Sequence, residues 1–199
     1  MRRAADWLLG MQGTESWWAP RLLAGLGLID PERDLSLTGW PWKADTSSWV
    51  EPTAHALVAL KKYATKSSSH LLRERVRLGE AQLLDERCAD GGWNYGNRTV
   101  LKRDLPSYPE TTGLALLGLQ GHANLNGSLD LAAKLAEERV SPLARAWLAI
   151  ALRVHGTKHA AKAPDEPAGK LPPDLHEVAL EALALPEGNH FFFQTGAGA

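Results

Sequence analysis

Carboxylates and a histidine stand at the start of two similar segments of the sequence. Glu51 follows Ser48 by three residues, and Glu110 follows Ser107 at the same spacing. His55 lies four residues after Glu51, in an apolar run. A carboxylic acid can donate a proton and a histidine can act as a base. The candidate catalytic residues are therefore Asp45, Glu51, His55 and Glu110.

The same spacing has a structural explanation. In Ser-x-x-Glu, the serine hydroxyl accepts a hydrogen bond from the backbone N–H three residues on, and the glutamate reaches back to the serine N–H. Such capping boxes predict that both segments begin helices, and they account for Glu51 and Glu110 without catalysis. His55, within an apolar helix, is more often a hydrogen-bonded core residue than a base. Catalysis is the minor interpretation.

Aromatic residues cluster in front of the first segment. The chain has eight Trp against three Tyr and three Phe, and Trp is kept mainly where its ring or N–H has a fixed partner. Packing in the protein interior is the favoured interpretation of these rings, and an aromatic-lined ligand pocket is the alternative. The candidate pocket residues are Trp40, Trp42, Trp49 and Tyr108.

The single cysteine could in principle bind a metal. Cys88 lies between Asp85 and Asp90, which are weak candidates for ligands beside it. No zinc-ligand spacing surrounds them, and a lone cysteine near a turn is more often an ordinary thiol. We therefore expect no cofactor, and zinc in particular is not expected.

The elements that position these residues are helices. Residues 48–60 and 107–119 share one order of residue types, with a proline in the first turn and almost no charge afterwards, which predicts two helices buried on nearly all sides. Helices with one apolar face are predicted for residues 4–12 and from Leu72. Further helices are predicted for 129–139, after Ser141-Pro142, and after Asp174.

The fold class is therefore all-α, in a single domain over residues 1–199. Within it, a flexible connection is predicted at 156–173, where Gly, Lys, Ala and Pro are frequent. The last residues, 190–199, have no helical period and are predicted to form an extended tail.

Composition excludes several functional classes. The net charge is −1 and no cluster of Lys and Arg alternates with aromatics, so a nucleic-acid partner is not expected. No stretch of about 18 apolar residues predicts a transmembrane segment. One cysteine excludes a disulfide framework within the chain and fits a reducing compartment, so a cytoplasmic protein is expected.

Residues 77–84, followed by Asp90-Gly91-Gly92-Trp93, resemble the QW repeat of the squalene-hopene cyclase, oxidosqualene cyclase and protein prenyltransferase superfamily. In that family a glutamine at the end of an outer helix and a tryptophan in the next turn brace neighbouring helix pairs. The inner helix that follows typically reads Thr-Ala-x-Ala-Leu-x-Ala-Leu, as residues 53–60 do. Residues 7–12, with Trp17 or Trp18, are similar to a second, degenerate copy.

This resemblance implies an α/α toroid of inner and outer helices. The alternation of one-sided and all-apolar helices agrees with it independently. A complete toroid has about six helix pairs, each of roughly 34–47 residues, whereas this chain offers three or four. The resemblance therefore implies a partial toroid, or one closed by a second copy or a sister chain.

The resemblance also bears on function. The Asp-x-Asp-Asp motif of the cyclases and the Asp-x-Cys with distant His of the zinc prenyltransferases are both missing from the sequence. The favoured hypothesis is a non-catalytic or cryptic binding or assembly module for an apolar ligand or a partner chain. The alternative is an isoprenoid cyclase or prenyltransferase that works with a divergent acid, or only after assembly with another chain.

Overall fold

The computed structural model describes residues 2–28 and 33–157 together with Leu183, and the structural statements below refer to these residues. They contain seven α-helices, one short 3₁₀ helix (Thr14–Ser16) and one hairpin, in which β1 (Thr99–Val100) pairs antiparallel with β2 (Arg103–Asp104). The helices are α1 (Arg2–Gly10), α2 (Trp18–Gly25), α3 (Val50–Ala64), α4 (His70–Asp85), α5 (Pro109–Gly118), α6 (Asn126–Glu137) and α7 (Pro142–Val154). The predicted all-α class is confirmed.

Two helices begin at the side-chain caps that the sequence predicts or allows. The Ser69 hydroxyl accepts from the Leu72 amide at the start of α4, at 3.0 Å. The Ser141 hydroxyl accepts from the Ala144 amide at the start of α7, at 3.1 Å. Each bond satisfies one of the amide groups that the first turn of a helix leaves without an intrahelical acceptor.

The predicted capping boxes at α3 and α5 are wrong. The N-cap residues are Trp49 and Tyr108, each one residue after the serine, and neither helix has a side-chain cap bond. The backbone amides of the two serines donate to carboxylates other than the predicted glutamates. The Ser48 amide donates to Glu15, and the Ser107 amide donates to Asp90. The two helices nevertheless begin within two residues of the predicted positions.

Helices α3, α5 and α7 form a row, with α5 in the middle. All residues of α5 from Thr111 to Gly118 are buried. The row packs closely because two glycines of α5 face backbone: a Cβ at Gly118 would lie 2.9 Å from the Ala54 Cα of α3, and one at Gly113 would lie 2.8 Å from the Trp147 carbonyl carbon of α7. Helix α4 packs on α3, α6 packs on α5 and α7, and α1 contacts α3 and α4.

Several sequence predictions fall outside the described residues. They are residues 158–173 of the predicted connection, the helix predicted after Asp174 and the predicted tail at 190–199. For the part of the chain that the structure describes, none of the helices combines the length and hydropathy needed to cross a bilayer.

Candidate functional site

Two buried tryptophans hold the loops that precede α3 and α5. The Trp93 indole N–H donates to the Leu83 carbonyl at the end of α4, at 2.6 Å. The Trp40 indole N–H makes the corresponding bond to the Leu8 carbonyl of α1, at 2.8 Å. Both rings are almost inaccessible to solvent, with 0% and 1% of each residue exposed. The Trp93 loop is thereby fixed to α4, and the Trp40 loop is fixed to α1.

The same loops are fixed to the helices that follow them. The Trp40 amide donates to the Thr53 hydroxyl of α3 at 2.9 Å, and the Trp93 amide donates to the Thr112 hydroxyl of α5 at 3.0 Å. The N-cap amides of α3 and α5 donate in turn to the carbonyls of these tryptophans, at 3.1 and 2.8 Å. One pattern of hydrogen bonds is therefore built twice, and Trp40 is the counterpart of Trp93.

This geometry changes the role of two predicted residues. Trp40 is a candidate pocket residue from the sequence, but its ring lies in the core, where a Cβ at Gly79 would be 2.5 Å from it. Gln82 is the glutamine that the resemblance assigns to bracing, yet within the described residues its buried amide atoms have no hydrogen-bond partner. The backbone carbonyl of the next residue, Leu83, accepts the indole instead.

Four exposed rings lie in the loops that lead into α3 and α5, and we call them together the aromatic surface. Trp49 and Tyr108 cap α3 and α5, and the Tyr95 carbonyl accepts from the Val50 amide at the start of α3, at 3.0 Å. The Tyr95 and Tyr108 rings lie 5.4 Å apart. The aromatic surface consists of Trp42, Trp49, Tyr95 and Tyr108, which are between 37% and 62% exposed.

Tyr95 is a member of this surface that the sequence reasoning did not select. A signal for it exists, because Gly92-Trp93-Asn94-Tyr95 has the same pattern as Gly39-Trp40-Pro41-Trp42. Once Trp40 and Trp93 are recognised as counterparts, Tyr95 takes the place of Trp42. Both residues lie two positions after a buried ring and are exposed.

Two of the three acidic candidates lie in the first turns of α3 and α5, and the third lies in the loop before α3. Glu51 and Glu110 occupy the second positions of α3 and α5 and are half-buried. The His55 Nε2 is 4.0 Å from a Glu51 carboxylate oxygen. Asp45 lies in the exposed loop before α3, with a φ of 64°. The structure thus brings Glu51 and His55 together and places Glu110 at the equivalent position of the next helix.

His55 also links two helices of the row. Its ring meets the edge of the Trp147 ring of α7, with 5.7 Å between the centroids. Trp147 can reach α3 because it lies over Gly113 of α5, which has no side chain in the way. A histidine that is exposed on one side and packed on a ring on the other is suited to holding α3 and α7 together beside the aromatic surface.

The metal candidates do not come together. In residues 2–28 and 33–157, no group of three or more His, Cys, Asp and Glu side chains is arranged to hold a metal ion. Asp85 is 3.3 Å from Arg98 in an ion pair. Burial opposes ionisation of Asp90, but the backbone amides of Ser107 and Gly92 donate hydrogen bonds to its carboxylate. These hydrogen bonds outweigh burial and lower the pKa of Asp90.

Cys88 is buried, and burial raises the pKa of its thiol. It lies at the edge of a shallow pocket of about 520 Å³ between the end of α4 and the start of α6. Arginines and a hydroxyl share this pocket with it. A thiol that stays protonated is a poor nucleophile and a poor metal ligand, so Cys88 is most simply a packing residue.

An ion-pair cluster centred on Arg33 joins segments that are distant in the sequence. An Arg33 guanidinium nitrogen lies 3.6 Å from Glu15 and 3.4 Å from Glu86. The other terminal nitrogen of Arg33 donates to the Asn97 side chain at 3.0 Å. Burial raises the pKa of Glu86 to about 7, although the charge of Arg33 opposes the shift.

Stability is therefore expected to depend on pH through Glu86. Its carboxyl has a higher pKa in the folded protein than its ordinary value of 4.5, so the folded state holds the proton more tightly. This contribution is full below about pH 4.5 and is lost as the pH rises to about 7. We expect the wild type to lose stability relative to Glu86→Gln as the pH rises. The free energy of unfolding of the wild type minus that of Glu86→Gln should decrease by about 1–3 kcal/mol between pH 4.5 and 7.5.

Urea denaturation at several pH values measures this difference. Glu110→Gln is the control, since that carboxylate is half-buried and outside the cluster. A difference that stays constant or rises with pH would show that Glu86 does not titrate in this way.

No protein-family model, curated protein or solved structure matches this chain. The QW-repeat resemblance therefore stays a prediction from the residues. The interpretation of the site depends on its geometry.

Proposed function

We propose that this chain is a non-catalytic binding module that holds an apolar ligand on the aromatic surface. The observation that carries the proposal is the exposure of Trp42, Trp49, Tyr95 and Tyr108 around the starts of α3 and α5. Exposed rings in the neighbourhood of a repeated, hydrogen-bonded turn are positioned by the fold, so they are available to a ligand without rearrangement.

The proposal includes the architecture that the resemblance implies. In it, α3, α5 and α7 are successive inner helices of a partial α/α toroid, and α4 and α6 are outer helices. Three observations support this assignment: α5 lies between α3 and α7, α4 and α6 each pack on the row, and the Trp40 and Trp93 turns repeat one hydrogen-bond pattern. The aromatic surface then lies at the mouth of the toroid.

The character of the acidic residues favours binding over catalysis. Protonation of an alkene needs a carboxylic acid kept neutral by its surroundings. Asp45 is exposed to water, and the pair of Glu51 and His55 is partly exposed. The ligand class that fits the surface is a linear isoprenoid or a similar hydrocarbon chain, because rings that are half exposed bury apolar area on contact.

Titration with linear isoprenoid alcohols of different lengths, followed by calorimetry, tests the proposal. We expect Trp49→Ala and Tyr108→Ala each to weaken binding by about tenfold or more. Leu101→Ala is the matched control, because Leu101 is exposed at the tip of the hairpin rather than on the aromatic surface. Absence of binding by the wild-type protein at millimolar ligand would overturn the proposal.

An isoprenoid cyclase or prenyltransferase with a divergent acid is the alternative function. Isoprenoids and their diphosphates incubated with the protein, with products analysed by mass spectrometry, separate the two functions. Turnover that is abolished by Asp45→Asn or Glu51→Gln would replace the binding module with an enzyme. Binding without turnover supports the module.

A further inference from the structure

Helix α2 presents apolar side chains to solvent on most of its surface. Trp18, Leu22 and Leu26 follow one another at intervals of four residues, which places them on one face. Together with their apolar neighbours they form what we call the α2 face. It consists of Trp17, Trp18, Leu22, Leu23, Leu26 and Leu28, which are between 40% and 77% exposed.

The α2 face is held in a defined shape. The helix ends in a Schellman motif, in which the Leu28 amide donates to the Leu23 carbonyl at 2.9 Å and the Gly27 amide donates to the Ala24 carbonyl at 3.0 Å. Gly27 has a φ of 68°, a conformation that glycine adopts at no steric cost. Leu26 and Leu28 therefore belong to a capped helix end and not to a frayed one.

The exposed area is large for a monomer. Exposed fractions of this size on two Trp and four Leu side chains correspond to roughly 700 Å² of accessible surface. The largest apolar patch on a typical monomeric protein is about 300–600 Å². A standard protein–protein interface buries about 800 Å² on each partner. The α2 face is thus close to one half of such an interface.

The charge of the α2 face is suited to contact with itself. Arg21 is the one charged residue among residues 17–28. The pKa of Asp34 is lowered by hydrogen bonds from Ser36 and also by the charge of Arg21, so this cation has a carboxylate of its own chain nearby. The whole chain carries a net charge of −1. Two copies therefore approach one another with little repulsion.

The same charge count disfavours a lipid surface. Helices that lie in a bilayer surface usually combine an apolar face with several Lys or Arg residues. The α2 face has a single arginine, and the helix has eight residues. A protein surface of the same apolar character is the better match.

We propose that the α2 face is the interface of a homodimer in which α2 of one copy packs against α2 of the second across a twofold axis. In such an interface the same patch is used on both copies. Leu22 is the middle residue of the Trp18, Leu22 and Leu26 stripe, so it lies nearest the axis and faces its counterpart. This interface goes beyond the proposed ligand binding and uses different residues.

Sedimentation velocity of the full chain tests the proposal. We expect a monomer–dimer equilibrium with a dissociation constant of about 1–100 µM, and an increase of about 30-fold or more for Leu22→Glu and for Leu22→Lys, because like charges then meet at the axis. An equimolar mixture of these two variants should dimerise again. Leu101→Glu is the control, since it adds the same charge at an exposed leucine of the hairpin and should leave the equilibrium unchanged.

A cross-linking variant gives a second measurement. Leu22→Cys in a Cys88→Ser background should form a disulfide-linked dimer on mild oxidation, whereas Leu101→Cys in the same background should not. A wild-type protein that stays monomeric up to about 500 µM overturns the proposal. So does capture by neutral or anionic phospholipid vesicles that Leu22→Glu abolishes. Tyr108→Ala should leave dimerisation unchanged, so failure of the dimer and failure of ligand binding are distinguishable.

Discussion

Replacing Trp93 with alanine is expected to lower the free energy of unfolding by about 3–5 kcal/mol. The indole is fully buried, and its removal leaves a cavity between α4 and α5. It also leaves the Leu83 carbonyl without its donor, and an unsatisfied buried acceptor costs about 1–3 kcal/mol. A loss of this size is a large fraction of the stability of a domain, which is typically about 5–15 kcal/mol.

Trp40 lies in the other copy of the repeated turn, so its replacement is expected to cause a loss of stability of similar size. Trp40→Ala removes the ring that lies 4.1 Å from the guanidinium carbon of Arg75. Arg75 is buried, its bonds are to the carbonyls of Met11, Thr38 and Gly39, and burial lowers its pKa to about 10. Loss of the ring removes the packing surface of this buried cation, so we expect Trp40→Ala to cost as much as Trp93→Ala.

Denaturant unfolding followed by far-ultraviolet circular dichroism measures these losses. Trp42→Ala is the matched control, because Trp42 is 62% exposed and two residues from Trp40. It should change stability by less than about 0.5–1 kcal/mol. Equal losses for Trp42→Ala and Trp93→Ala would contradict the assignment of Trp93 as a structural brace.

A further large effect is expected at Gly113. A Cβ there would lie 2.8 Å from the Trp147 carbonyl carbon and 2.9 Å from the Leu148 amide nitrogen. Both atoms belong to the backbone of α7, so relief requires the helix itself to move. Overpacking of this kind typically costs about 1–3 kcal/mol, and we expect Gly113→Ala to fall at the upper end and Gly113→Val beyond it.

Gly127 is the matched control for Gly113. It lies in α6, and a Cβ placed on it meets nothing within 4 Å. Because alanine is the better helix former, Gly127→Ala should be neutral or stabilise the protein by up to about 1 kcal/mol. The thermal unfolding temperatures of Gly113→Ala and Gly127→Ala, each compared with the wild type, test this prediction. If Gly113→Ala unfolds at the wild-type temperature, α5 and α7 are not packed as closely as described.

Local sequence patterns were sufficient to predict most of the helices. Ser141-Pro142 and the apolar positions after it predict α7, and the apolar spacing from Leu72 predicts α4. Both signals act within one or two turns of the chain. The apolar run at residues 22–29 also favours a helix, but α2 spans Trp18–Gly25, because an apolar run alone does not locate the start of a helix.

The partners of the two repeated serines could not be predicted from local spacing. Ser48 and Glu51 have the spacing of a capping box, but Ser48 is bound by Glu15, 33 residues earlier. Ser107 is bound by Asp90, 17 residues earlier. These contacts depend on how the loops return to the helices, which the spacing of neighbouring residues does not specify. Capping of Ser48 and Ser107 therefore does not explain the positions of Glu51 and Glu110.

Which of the predicted pocket rings are exposed could likewise not be predicted from local sequence. Trp42, Trp49 and Tyr108 are exposed, whereas Trp40 is buried. Their spacing in the sequence does not distinguish these rings, whereas in the structure the Trp40 indole donates to the Leu8 carbonyl of α1 and its ring packs against Arg75. A cluster of aromatic residues in the sequence therefore does not tell which of its rings are buried. Contacts with distant parts of the chain decide which rings lie in the core and which lie on the surface.

The β1–β2 hairpin shows where this architecture accepts extra chain. The N-cap Tyr108 follows Trp93 by 15 residues, whereas Trp49 follows Trp40 by nine, and the six residues of the hairpin, Thr99–Asp104, lie within the longer connection. The bonds at both ends are the same in the two copies. The number of residues in this connection can therefore change without altering the hydrogen bonds of the turn. The shorter connection, from Trp40 to Trp49, is accordingly a permissive position at which a designer could graft a loop beside the aromatic surface and alter what the protein recognises.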